Sequence, residues 1–130
     1  YKKFGYDLLP SQVILTGGGS QSLSQAYATV LNSGDEGISL DPAYGGGRGP
    51  LKYFGAKTVF AAMKKVNGQF RIDLETVKDA ISDKTKTLYL DNPGNPSGAV
   101  FNKDELKGVA DLACDHDFVV ISDETYPEFT

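Results

Sequence analysis

The chain has 130 residues, with 13 Lys and Arg against 17 Asp and Glu, for a formal net charge of −4. That length suits one domain with a buried core rather than two, and the acidic balance argues against a nucleic-acid or anionic-membrane surface, which needs a basic patch. A single cysteine, Cys114, excludes an internal disulfide framework and makes a reducing compartment, the cytoplasm, the expected setting.

The first residues, Tyr1-Lys2-Lys3-Phe4-Gly5, lack the apolar run of a signal peptide. Residues 8–34 carry no charge over 27 positions, but Ser, Gln, Thr, Asn and three successive glycines exclude a membrane span. Val13-Ile14-Leu15-Thr16 predicts a short buried strand that ends at Gly17-Gly18-Gly19. Leu23, Ala26, Tyr27, Val30 and Leu31 recur at helical spacing, predicting a helix from Ser20 that stops at Asn32-Ser33 with Gly34 as its cap. Residues 37–41 predict a second strand, ended by Pro42. After Gly45-Gly46-Gly47, residues 51–54 predict a helix closed by Gly55, and residues 57–61 a strand.

Asn67-Gly68 marks a turn. Asp73 caps a helix bearing Leu74, Val77 and Ile81, and residues 85–91 form a buried strand. Residues 92–98 are rich in turn formers, and Asn102-Lys103-Asp104-Glu105 resembles a capping box. It opens a helix with Leu106, Val109, Ala110 and Ala113 on one face and Cys114 as a small packing residue. Residues 118–121 form the most apolar strand, running into Ser122-Asp123. Strands alternate with helices and do not alternate in polarity, so the expected fold is three-layer α/β/α with a mostly parallel sheet.

Ligands of such sheets sit beyond the carboxyl ends of the strands, which directs attention to residues 17–22, 41–47, 92–98 and 123–126. Gly17-Gly18-Gly19-Ser20-Gln21 between strand and helix can bind an anion through free N–H groups, or can be a plain joint between the two. Asn92-Pro93-Gly94-Asn95-Pro96-Ser97-Gly98 is stiffened by two prolines, either to aim an amide or simply to turn. A carboxylate at Asp123 is costly after so apolar a strand unless it is paired, though an Asp also caps strand exits. Tyr44 offers an aromatic face that can stack or pack, and Tyr126 a phenol near Asp123. His116 suits a helix C-terminus, Lys64-Lys65 a solvated face, and one His with one Cys leaves no metal site expected.

Together, the Gly-Gly-Gly-Ser-Gln turn, Asp41-Pro42-Ala43-Tyr44, Asn92-Pro93-Gly94-Asn95-Pro96-Ser97-Gly98 and Ser122-Asp123-Glu124-Thr125-Tyr126 resemble the class I/II aminotransferases. These are fold-type I enzymes that use pyridoxal 5'-phosphate to exchange an amino group between an amino acid and a 2-oxo acid. By resemblance, Gly19, Ser20 and Gln21 meet the cofactor phosphate and Tyr44 stacks on its ring. Asn95 and Tyr126 donate to the ring's phenolate oxygen, and Asp123 pairs with the ring nitrogen. Asp123 and Tyr126 are thereby the expected catalytic residues. Gly45 and Gly47 replace a Pro and a Tyr often found after the stacking aromatic.

The resemblance makes residues 1–130 part of the cofactor-binding large domain, without the small domain and the segment bearing the Schiff-base lysine. No lysine here stands at a matching position, so this segment alone is expected to be inactive. A homodimer of the full-length chain is implied in the same way. Two alternatives stand beside this reading. One is an NAD-binding Rossmann domain, with Asp41 as its ribose-binding acid; the other is a catalytically dead remnant or binding module of the same fold.

Overall fold

The computed structural model describes Gly5 and residues 7–129; residues 1–4, part of the N-terminal stretch read above for a signal peptide, lie outside the described set. Four segments form one parallel sheet: β1 (Glu36–Asp41), β2 (Lys57–Ala62), β5 (Thr85–Asp91) and β6 (Val119–Asp123). Their order is β2-β1-β5-β6, so the chain reverses direction across the sheet between β1 and β5. A small antiparallel pair, β3 (Lys64–Val66) and β4 (Gln69–Arg71), folds about the Asn67-Gly68 turn.

Four helices cover the sheet: α1 (Gly19–Val30), α2 (Gly49–Tyr53), α3 (Leu74–Asp79) and α4 (Lys103–His116). Strand residues alternate between the two faces, and the two apolar clusters follow that alternation. Ile38, Leu40, Leu88 and Leu90 turn to one side, where Val77 of α3 and Val109 and Leu112 of α4 pack on them. Tyr89 turns to the other, among Leu23, Tyr27 and Leu31 of the α1 region and Leu51 of α2. The three-layer expectation therefore holds. Both faces of the central strands are covered, which is why they read as apolar runs and not as alternating ones.

The caps follow the predicted chemistry. Asp73 accepts from the Glu75 N–H, and Asn102 with Glu105 forms a reciprocal capping box, with bonds of 2.9 and 2.8 Å. Glu105 also receives the Ile72 N–H and the Arg71 guanidinium, which ties α4 to the hairpin. Among the described residues no helix is long and apolar enough to cross a membrane.

Three expectations are corrected. Residues 13–16 do not form a strand: they run unpaired before α1, with Ile14 79% and Leu15 93% exposed. Apolar side chains favour a strand only where an adjoining sheet edge takes up their N–H and C=O groups, and no described strand lies beside them. Gly34 does not cap α1; Leu31 does, in extended conformation, while Gly34 serves a separate turn in which the Asp35 N–H bonds Asn32 O. Cys114 is exposed, because the buried face of α4 runs through Val109 and Leu112 and position 114 falls beyond it. β6, the most apolar strand, pairs with β5 among the described strands, and Val119 at its start is exposed.

Candidate functional site

The site forms where β1, β5 and β6 end and α1 begins, at the point where the strand order reverses. A cavity of about 280 Å³ opens there. Its walls include Gly19 and Ser20 of α1, Tyr44 after β1, Asn95 after β5, and Asp123 with Tyr126 from the end of β6. Six of the seven residues singled out from the sequence thus come together from four separate segments.

Gln21 is the exception. Its side-chain oxygen accepts the Gly17 N–H at 2.6 Å, and its own N–H bonds Gly18 O, so it braces the turn instead of lining the cavity. Gly18 makes that turn possible with a φ of 141°, a conformation L side chains rarely adopt. The N–H groups of Gly19 and Ser20 have no protein acceptor among the described residues, and the first turn of α1 holds no acidic residue. Unpaired N–H groups and the positive end of the helix dipole therefore face the cavity together.

Tyr44 is held at both ends of its short loop. Its N–H donates to Asp91 Oδ2 at 3.3 Å. Its ring lies over Gly46, where any Cβ would collide with it. Arg48, which follows, pairs with Asp41 at 3.5 Å and sits over the Phe60 ring, outside the cavity wall.

The loop after β5 is stitched internally. Asn92 Oδ1 accepts the Phe101 N–H, the Gly94 N–H bonds Ala99 O, and the Gly98 N–H bonds Gly94 O. The Asn95 N–H donates to Asp91 Oδ2 at 2.9 Å, which leaves the Asn95 side-chain amide on the cavity wall without a protein partner among the described residues. The stiff turn thus also aims an amide.

Asp123 accepts three hydrogen bonds, from two sides. Its Oδ1 takes the Thr125 N–H and hydroxyl, at 3.2 and 2.6 Å, and its Oδ2 takes the Tyr89 hydroxyl at 2.9 Å. It meets no cation among the described residues, and no Lys or Arg lines the cavity. The turn-capping role and the cavity-facing role weighed from the sequence coexist in this one carboxylate.

The wall also holds polar residues given no site role from the sequence, among them Tyr89, Asp91 and Thr125. Asp91 is 5% exposed and stands opposite Asp123 in the β5–β6 register. Burial pushes its carboxyl above the ordinary value and Asp123 adds to this, while the Asn95 and Tyr44 N–H groups work against it. The signal that marked Asp123, a carboxylate closing an apolar strand, applies equally to Asp91.

A family model described as "Aminotransferase class I and II" matches residues 2–130. The chain belongs to the class I and II aminotransferase family. It is 37% identical over 122 residues to an aspartate/prephenate aminotransferase of Thermus thermophilus, covering 94% of this chain and 31% of that protein. A probable aspartate aminotransferase of Methanocaldococcus jannaschii is 35% identical over 127 residues, covering 95% of this chain and 32% of the relative. Among solved structures, an alanine aminotransferase from Pyrococcus furiosus superposes with a TM-score of 0.90 at 30% identity, covering 96% of this chain and 32% of that one. The chain thus spans about a third of the length of these aminotransferases.

The aminotransferase family is pyridoxal-phosphate dependent, and its fold is the one found here. Family membership gives the dinucleotide reading no support, and Asp41, its ribose-binding candidate, is engaged with Arg48 away from the cavity.

Proposed function

We propose that this chain forms the cofactor-binding core of an aminotransferase that moves an amino group between an amino acid and a 2-oxo acid. The observation that carries this reading is the convergence of Gly19, Ser20, Tyr44, Asn95, Asp123 and Tyr126 on one cavity.

Pyridoxal 5'-phosphate suits the donor set found there. Its phosphate is an anion for the unpaired Gly19 and Ser20 N–H groups and the Ser20 hydroxyl. Its ring nitrogen, when protonated, is a cation for the otherwise uncompensated Asp123 carboxylate. Its phenolate oxygen is an acceptor for the Asn95 amide and the Tyr126 hydroxyl, and its ring offers a face to Tyr44. When bound, the cofactor supplies an electron sink for charge developing at the substrate α-carbon.

The residues of this chain then bind and orient. Asp123 holds a proton at the ring nitrogen, the atom where positive charge favours the reaction. Asn95 and Tyr126 would hold the phenolate oxygen by hydrogen bonds, and the start of α1 would hold the phosphate. None of the cavity residues is a lysine, so the amine that would act as covalent anchor and proton-transfer base is not among them. Residues 1–130 alone are accordingly inactive in this reading. The full-length protein works as a homodimer in the cytoplasm, in line with the family resemblance and the single cysteine.

The test uses the longest natural form of the protein. Added pyridoxal phosphate gives a visible absorption band that borohydride fixes to the chain, and in a separate unreduced sample an amino acid and a 2-oxo acid exchange the amino group. No band overturns the reading. A band without amino-group exchange would favour the binding-module alternative.

A further inference from the structure

We propose that Tyr89 is a positioning residue, whose phenol, seated against the Gly45–Gly47 turn, holds the Asp123 carboxylate toward the cavity. The inference rests on the reading of Asp123 as the partner of the cofactor ring nitrogen.

Asp123 closes β6, whose partner among the described strands is β5. Tyr89 belongs to β5, which is paired on both sides, to Ser39 of β1 and to Ile121 of β6. Two residues before the strand end, it lies on the same face as Asp91 and one row below Asp123. A tyrosine is long enough to cross that diagonal, and its hydroxyl reaches Asp123 Oδ2 at 2.9 Å. With Thr125 holding Oδ1, donors on both sides define the rotation of the carboxylate.

The seat of Tyr89 is itself built. Its side chain is fully buried among Leu23, Tyr27, Ala43 and Leu51. Its ring occupies the space a Cβ on Gly47 would need, so the glycine allows the close approach. The Tyr27 hydroxyl donates to Gly47 O at 2.7 Å and holds the turn over the ring. Burial, reinforced by the nearby Asp123 and Asp91 carboxylates, raises the Tyr89 phenol well above its ordinary value, so it stays protonated and remains a donor.

The experiment compares Tyr89→Phe, Asp123→Asn and Leu31→Ala in the full natural chain. It reads pyridoxal phosphate affinity and the pH at which the bound cofactor's absorption changes, with thermal unfolding to confirm folding. Tyr89→Phe keeps the ring and loses one charge-assisted hydrogen bond, so affinity falls about tenfold and the spectral transition moves to lower pH. Asp123→Asn changes both readouts further in the same direction. Leu31→Ala, which loosens the same apolar cluster at the end of α1 away from the cavity, leaves both readouts as in the wild type. Gly47→Ala, which displaces the Tyr89 ring and keeps its hydroxyl, repeats the Tyr89→Phe result and serves if that variant does not fold.

If Tyr89→Phe and Gly47→Ala match the wild type while Asp123→Asn is impaired, the Tyr89 inference falls and the Asp123 reading stands. If Leu31→Ala is affected as much as Tyr89→Phe, general loosening of the cluster explains both and the inference falls. If the wild type binds no pyridoxal phosphate, the functional reading and this inference fall together.

Discussion

Asp91 and Asp123 stand side by side on adjacent parallel strands, two carboxylates with no cation between them among the described residues. Asp91 is the more buried, and its oxygen joins two loops by taking the N–H groups of Tyr44 and Asn95. Its raised pKa means that the native state binds this proton more tightly than the unfolded chain does. The associated stability is therefore full below the ordinary carboxylate range and is lost as pH rises through the native value. Asp91→Asn keeps an acceptor oxygen and removes the charge. It should erase that part of the decline and leave stability at pH 7 equal or higher. Asp91→Ala leaves two backbone donors unsatisfied and should cost about 2 kcal/mol. Denaturant titrations of the full chain across pH separate the two, and an Asn variant as unstable as the Ala variant would refute the account.

At the scale of elements, α4 shows how far a local signal can act. Its capping box satisfies two backbone donors, and Glu105 carries the constraint on to Ile72 and Arg71. Asn102→Ala should cost about 1 kcal/mol of stability. Because α4 packs on the face opposite Tyr89 and Asp91, cofactor affinity should be unchanged. Chemical denaturation and a pyridoxal phosphate titration check the pair of outcomes. A loss of affinity with little loss of stability would show that α4 reaches the site by a route these contacts do not contain. α1 is the contrasting element. Its value lies at one end, where Gly18, the unpaired N–H groups and the absence of acidic residues leave room for an anion.

The whole molecule is organised by a sheet whose centre and edges differ sharply. Ile38 on β1 is fully buried between β2 and β5, so Ile38→Ala should cost about 2–5 kcal/mol by leaving a cavity. Phe60 on the edge strand β2 is half in solvent and touches Arg48, so Phe60→Ala should cost about 1 kcal/mol or less. Thermal or denaturant unfolding of both variants tests the gradient, and equal losses would contradict it. The same gradient explains why the site depends on β5, the interior strand that supplies Tyr89, Asp91 and the Asn95 loop.

Much of this was legible from residue order. Helical spacing of Leu23, Tyr27 and Val30, the Asn102–Glu105 box and the buried run from Thr85 to Asp91 are local patterns, and each produced the element it implied. Six site residues could be named because strand ends carry the unusual loops of a parallel sheet. Local pattern failed where the outcome depended on a neighbour. Residues 13–16 look like a strand yet have no described edge to pair with. Tyr89 read as core and Asp91 as the end of a strand; their cavity-facing roles appeared only once β5 and β6 were set in register.

The sequence by itself determined the elements, the layer order and the loops that hold the chemistry, because hydrophobic period, caps and turn residues act over a few neighbouring positions. Tertiary structure alone decided which donors meet which acceptors. Tyr89 reaching Asp123, and Asp91 reaching Tyr44, are contacts between residues 34 and 47 positions apart, set by strand register and a glycine's missing Cβ.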